Sequence, residues 1–397
     1  MRLRGGTIID GTGADPRRGD VMIHNGHIDG STTDGVDVDV EGLTVLPGLI
    51  DAHSHFGLVN EFDPDVATAV VAARIFRNCE LALDAGFTTV RDTGGIDGGV
   101  AQAVQLGLLR GPRILPSGPI LSQTGGHGDP TGPFHHPHGH GHGVPGLTQV
   151  SIVCDGPDEV RVAARTALKR GATQVKVCVS GGVVSFTDKL EDTQFTVDEL
   201  IAAVQEADAR GTYVTAHAHN SRGIQNGLDA GIECFEHGTF LDEPTARRMA
   251  AAGAHLVPTF AVCRLLAQEA DAWGIPAEMV PKIAPVEAAM AQSLKLAREH
   301  GITIGLGSDI LGPEQNRRGL ELVIRSQLED PMTAIVSATK VNARVIRHDT
   351  ELGTIELGKV ADVIAVDFDP LAEPDQFDDP SRVKLVVQGG RVVKDLT

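Results

Sequence analysis

The sequence predicts an α/β fold: a closed (β/α)8 barrel of the TIM type over residues 48–352, joined to a small discontinuous β-sandwich domain made from residues 1–47 and 353–397. Three observations predict it. Apolar strand-like segments alternate with amphipathic helical stretches through the middle of the chain. The two ends share a Gly-punctuated, period-two pattern that the middle lacks. Ionisable side chains recur where the apolar segments stop, and in a closed barrel reactive groups gather at the C-terminal ends of several strands. An open doubly wound sheet is the alternative arrangement of the same units.

Taken in order, residues 1–47 alternate apolar and polar through Gly6-Thr-Ile-Ile, Val21-Met-Ile and His27-Ile-Asp, and residues 353–397 repeat the style in Val363-Ile-Ala-Val and Leu385-Val-Val. That is the mark of short antiparallel strands with tight turns. In the middle, strands are expected to end at His53-Ser-His55, Arg91-Asp92, Pro116-Ser117, Ser180, His217, His237, Thr259 and Asp309. Helices are expected over 64–85, 156–170, 196–210, 242–252, 283–300 and 331–347. Asp155 before Pro157, Thr196 with Glu199 three residues on, and Asp242 before Pro244 serve as start signals.

Composition removes several function classes. The formal net charge of −19 repels nucleic acid and anionic membranes, and no apolar run approaches the ~20 residues of a membrane span. Aromatic residues make up 4% of the chain, too few for a surface that works by stacking bases or sugars. Five scattered cysteines without a C-x-x-C pair argue against a disulfide framework or a thiolate zinc site and suit a reducing cytoplasm. The expected partner is a small-molecule substrate, and whether copies associate as a homo-oligomer is left open. Sixteen histidines, clustered, are the unusual feature.

His53 and His55, two apart, share one strand face and can reach one ion. Buried imidazoles closing an apolar strand are costly unless satisfied. His217 and His237 end successive strands and could each offer another ligand, while His219 could ligate or meet substrate. Asp309, amid small residues in Gly305-Leu-Gly-Ser-Asp, is a carboxylate that a buried site tolerates beside a cation, and one able to accept a proton. Lys176 lies inside the apolar strand Val175-Lys-Val-Cys-Val. An ammonium facing two divalent cations is untenable there, so the amine must be neutral or converted to an anion such as a carbamate.

These residues resemble the amidohydrolase superfamily, and more narrowly its prolidase-like branch of Xaa-Pro and Xaa-Arg/Lys dipeptidases, related to imidazolonepropionase-like hydrolases. The resemblance is carried by Pro47-Gly-Leu-Ile-Asp-Ala-His-Ser-His, Gly86-Phe-Thr-Thr-Val-Arg-Asp, Ser122-Gln-Thr-Gly-Gly-His-Gly-Asp, Lys176-Val-Cys-Val-Ser-Gly-Gly, Thr215-Ala-His-Ala-His, Glu236-His-Gly-Thr and Gly307-Ser-Asp. It implies two divalent ions, expected to be Zn2+, held by His53, His55, His217, His237 and Asp309 and bridged by N6-carboxylated Lys176. It also implies amide hydrolysis by a metal-bridging hydroxide, with Asp309 as the catalytic proton acceptor. His127 is implied to contact substrate, with N–H groups of Gly181 and Gly182 alongside. Arg222 and His219 are further candidates for substrate contact, and His219 stands where dipeptidase relatives often carry Tyr. The His-rich stretch Phe134–His142 follows the third strand and reads as a lid.

The expected activity is hydrolysis of a dipeptide or N-acyl amino acid with a free carboxylate. A cyclic amide, urea or carbamate on the same site is the alternative, and a non-catalytic scaffold the remote one, since all six ligand positions are filled.

Overall fold

The computed structural model describes residues 1–31, 35–59, 65–132, 134, 143–185, 187–269, 279–312 and 315–397. The His-rich stretch 135–142 lies outside the described residues, so the lid expected there is not addressed.

Parallel strands carry the middle of the chain. One sheet runs Ser151–Val153, Ile120–Ser122, Val175–Cys178, Val214–Asn220, Cys234–Phe240, His255–Val257 and Thr303–Ile304, and a second runs Leu49–Ser54, Phe87–Asp92 and Arg113–Pro116. Strands such as Leu49–Ser54 and Phe87–Asp92 are buried at every position instead of alternating, as expected of parallel strands covered on both faces. Backbone bonds also join the two sheets: Ala52 N–H donates to Leu306 (3.1 Å) and Asp309 N–H to His53 (2.8 Å). The last and first parallel strands therefore lie side by side, which brings Asp309 beside His53.

Helix starts follow the sequence in two of three places. Thr196 and Glu199 form a complete capping box at Val197–Asp208, and Asp242 accepts the Thr245 N–H at Glu243–Ala252. Asp155 does not cap the helix Pro157–Lys169; Gly156 takes that place, and the Asp155 carboxylate binds the Thr124 N–H and hydroxyl instead. The long helix expected over 331–347 is divided into Pro331–Val336, a π-helical turn Ser337–Val341 and Asn342–Val345. Helices at Ser221–Ala230 and Leu320–Leu328 were not expected. The first contains Gly223 and Gly227, and a Cβ at Gly227 would lie 2.6 Å from the Phe235 ring, so the glycine permits close packing on the strand. The second is buried over Leu320–Ser326, Glu321 and Arg325 included, so its charged residues do not mark a solvent face.

Both ends of the chain enter one eight-stranded sheet, ordered Arg391–Asp395, Val383–Gln388, Val363–Val366, Thr44–Pro47, Arg2–Ile8, Arg17–His24 and His27–Asp29, with Asp37–Asp39 also paired to Arg2–Ile8. Thr44–Pro47 runs antiparallel to Val363–Val366. Leu3, Val21, Ile23, Val363 and Leu385 share a local core, whereas Leu46, Ile364 and Val386 join the main core. Alternation along these strands thus serves two apolar faces. All five cysteines are free and buried. Among the described residues no helix is long and apolar enough to cross a membrane.

Candidate active site

His53 and His55 both project from Leu49–Ser54 and its continuation into the same space, as the two-residue period requires. Each ring is fixed from behind. His53 Nδ1 meets the Glu236 carboxylate at 2.6 Å, and His55 Nδ1 meets the Gly94 carbonyl at 2.9 Å. These partners only accept, so both Nδ1 atoms carry protons and each Nε2 of a neutral ring presents a lone pair. The two Nε2 atoms face each other at 3.1 Å, and Asp309 Oδ1 stands 3.4 Å from one and 3.1 Å from the other. Three electron-rich atoms converging this closely require positive charge among them. Burial opposes charge on His55, yet Asp309 more than offsets it and the His55 pKa is raised. Burial likewise opposes the Asp309 carboxylate, but His53 and His55 hold its pKa well below the usual range.

His217 and His237 form the second half. His217 Nε2 donates to the Gly181 carbonyl (3.2 Å), which leaves Nδ1 directed at His237 Nε2, 2.9 Å away. His237 Nδ1 lies 2.7 Å from Thr259 Oγ1 and 3.8 Å from Asp309 Oδ2. Donor atoms of His53, His237 and Asp309 fall within 4.8 Å of one another, and so do those of His217, His219 and His237. Burial pushes the pKa of His217 and of His237 well down, so both rings are neutral, as metal ligation requires.

Two non-glycine residues here occupy the left-handed region, His237 at φ 66° and Asp309 at φ 54°. Glu236 already points inward to His53, so regular alternation would turn His237 outward; the positive φ re-aims it. Such backbone costs of order 1–3 kcal/mol and persists where surrounding contacts enforce it.

Lys176 is buried and has no hydrogen bond or ion pair among the described residues. It sits in register between Ile120 and Thr215. Its charge acts on His55, His217 and His237, and burial lowers its own pKa.

His127 stacks on His217 with ring centroids 4.1 Å apart and donates its backbone N–H to Gln194 (3.0 Å). Burial holds its ring neutral, with a pKa of about 3. A Cβ on Gly182 would lie 2.2 Å from His127 Nδ1, so only glycine admits the ring. The N–H groups of Gly181 and Gly182, expected beside His127 toward substrate, are taken within the protein: the first donates to the Asp192 carbonyl (3.0 Å) and the second to the Asp188 carboxylate (3.4 Å). A strand-end loop folded back on itself consumes them. His219 joins the cluster, its ring 4.6 Å from His217 and 4.9 Å from His237. Arg222 is not brought to it. It is exposed in the first turn of Ser221–Ala230, on the face where Gln225 and Asp229 bond to helix Glu243–Ala252 (Thr245 and Arg248).

Sequence reasoning missed the groups behind the histidines. Glu236 binds His53, Arg91 (2.7 Å) and the Thr215 hydroxyl, and Arg91 also reaches the Ala52 carbonyl (2.5 Å) and the Tyr213 hydroxyl (3.3 Å). Asp92 accepts the N–H groups of Phe56 (2.7 Å) and Gly94 (3.1 Å), and so sets the carbonyl that holds His55. Burial raises the Asp92 pKa to about 6. The available signal was a charge inside an apolar strand, as for Lys176.

Known proteins resemble this chain over most of its length. A profile of the amidohydrolase family matches residues 44–393. Ochratoxinase from Aspergillus niger is 34% identical over 364 residues, which cover 88% of this chain and 75% of that protein. A crystal structure of a prolidase complexed with N-methylphosphonate-L-proline superposes with a TM-score of 0.93 at 36% identity, covering 99% of both chains. That of a Xaa-Pro dipeptidase gives 0.88 at 32% identity, again covering 99% of each. The chain belongs to the amidohydrolase family, on its prolidase-like side, and is a hydrolase of amide bonds.

Proposed function

We propose that this enzyme hydrolyses a dipeptide or N-acyl amino acid with a free carboxylate, using two divalent ions held by His53, His55, Lys176, His217, His237 and Asp309. The observation that carries the metal reading is the convergence of His53 Nε2, His55 Nε2 and Asp309 Oδ1 within 3.1–3.4 Å, a donor set that suits a cation. The imidazole and carboxylate donors fit zinc. Lys176 fits a bridging role only as its carbamate, and its depressed pKa favours the neutral amine from which a carbamate forms. Bound ions would supply a nucleophile from water at neutral pH and polarise the scissile carbonyl.

The chain's own groups do the rest. Glu236 and the Gly94 carbonyl keep the proton of each ligand ring on Nδ1. Asp309 Oδ1 shares the cation position with the two Nε2 lone pairs, so Oδ2 is the oxygen that takes the nucleophile's proton and delivers it to the leaving amine. His127 and His219 border the space above the ligands and contact substrate. The substrate class follows the similarity to the prolidase with its proline phosphonate and to the Xaa-Pro dipeptidase. A cyclic amide, urea or carbamate on the same residues is the second reading, favoured by His219.

The same reading takes the two parallel sheets as arcs of one (β/α)8 barrel, supported by the backbone bonds from Ala52 to Leu306 and from Asp309 to His53. It takes residues 48–352 as one domain and the two ends as a small β-sandwich domain, supported by the local core around Leu3, Val363 and Leu385.

The test combines metal analysis with a substrate panel. Zinc-reconstituted enzyme should retain two ions per chain and cleave dipeptides or N-acyl amino acids. Turnover of lactams or carbamates alone would favour the second reading. A zinc-saturated preparation that retains no ion would refute both.

A further inference from the structure

We propose that Lys282 is a positioning residue for substrate binding: its ammonium clamps the loop that follows strand Val175–Cys178, and that loop seats the His127 ring beside the candidate ligands. This deepens the amide-hydrolase reading above and rests on it for the contact between His127 and substrate. Lys282 stands on the short helix Val280–Ile283, which Met279 and Ile283 anchor in the main core. From there its Nζ donates to the carbonyls of Gly182 (3.3 Å), Ser185 (3.2 Å) and Asp188 (2.8 Å). These bonds use every N–H an ammonium has, and all go to one loop. The Asp188 carboxylate, 3.7 Å away, supplies the counter-charge.

The clamped loop is wired to His127. Asp188 is buried, and its carboxylate accepts from the Ser185 hydroxyl, the Gly182 N–H (3.4 Å) and the Gln194 side-chain amide (2.8 Å). The Gln194 side-chain oxygen in turn takes the His127 N–H at 3.0 Å. The Thr187 hydroxyl donates to the Gly125 carbonyl at 2.9 Å, and the Phe195 N–H donates to the Gln123 side chain at 2.6 Å. These ties lock the loop to the segment that carries His127, while Gly182 packs directly against the ring. Strand-like pairing among the described residues of the loop is confined to its base, where Ser180 bridges Thr193. Its far part therefore depends on side-chain ties, and Lys282 supplies them from a separate, core-anchored element. The competing assignment is a tie that stabilises the fold and leaves substrate binding alone.

The experiment measures kcat, KM and bound metal for zinc-reconstituted wild type, K282M, K282R, H127A and the double variant K282M/H127A on the best amide substrate, with amide hydrogen exchange of the same zinc-loaded proteins. K282M should lower kcat/KM roughly 10–100-fold, the size expected of a binding group moved by a fraction of an ångström, with the loss in KM and both ions retained. K282R should recover part of it, because a guanidinium still donates to carbonyls. In the H127A background K282M should cost little more, since the two changes remove the same contact; a purely structural tie makes the losses add. The amides of Gly181, Gly182, Asp192 and His127 should exchange about tenfold faster in K282M. Unchanged kcat/KM in K282M, loss of an ion, additive losses, or K282R no better than K282M would overturn the assignment. If K282M does not fold, D188N enters the same cycle with H127A, and additive losses there would overturn it equally. A metal-loaded wild type that turned over no amide would overturn the amide reading and leave the exchange rates to decide the clamp. An active wild type beside an unaffected K282M would overturn the inference alone.

Discussion

Glu236→Gln isolates the support behind the metal ligands. Glu236 and Arg91 are both completely buried and joined at 2.7 Å, and Glu236 also meets His53 at 2.6 Å. Neutralising Glu236 leaves the Arg91 guanidinium buried without its counter-charge, which costs about 3–5 kcal/mol. With an unfolding entropy of ~2.1 cal/mol/K per residue, a chain of 397 residues has about 0.8 kcal/mol/K in total, so the loss corresponds to roughly 4–6 °C in Tm. The same change weakens the proton anchor on His53 and should reduce zinc affinity ~10–100-fold. Calorimetry of chelated protein reads the first effect and competitive zinc titration the second. Arg91→Met combined with Glu236→Gln should recover part of the stability but none of the zinc affinity, because the stranded charge is gone and the His53 anchor is still missing. A single variant within 1 °C of wild type, or a double variant that regains full zinc affinity, would refute this account.

Three further outcomes follow from the same geometry. Lys176→Ala should lose bound metal and activity together, measured by elemental analysis and turnover; retention of both would show that the bridging role is misassigned. Gly182→Ala places a Cβ 2.2 Å from His127 Nδ1 and should displace that ring, lowering kcat/KM at least about tenfold while Tm changes little. The Glu236 pKa is depressed because Arg91 and His53 outweigh the burial penalty. Its contribution is therefore complete above the unfolded carboxylate value of about 4.3 and is lost as pH falls toward the lower folded value. Stability measured by denaturant titration from pH 7 to pH 3 should drop in the wild type and more shallowly in Glu236→Gln.

Much of this molecule is legible in its sequence, for specific reasons. His53 and His55 declare a shared face through spacing alone, and Thr196 with Glu199 declares a helix start, since both patterns act between near neighbours. Lys176 declares itself because an amine in an apolar strand needs an explanation. The partners Glu236 and Arg91 were harder to see, because their pairing spans 145 residues of chain and no local period reports it. Gly181 and Gly182 are hard to read for a related reason: glycines advertise available N–H groups, but the loop's own Asp188 and Asp192 take them. His237 and Asp309 stand out in the sequence as ionisable residues at strand ends, whereas the positive φ that aims each of them is invisible in a residue string.

The shared terminal sheet imposes an order on biosynthesis. Thr44–Pro47 finds its antiparallel neighbour only in Val363–Val366, so more than 300 residues must leave the ribosome first. At ~5–20 residues per second that interval is roughly 15–65 s. Throughout it the early strands expose an unpaired, partly apolar edge, the kind of surface that nascent-chain chaperones cover.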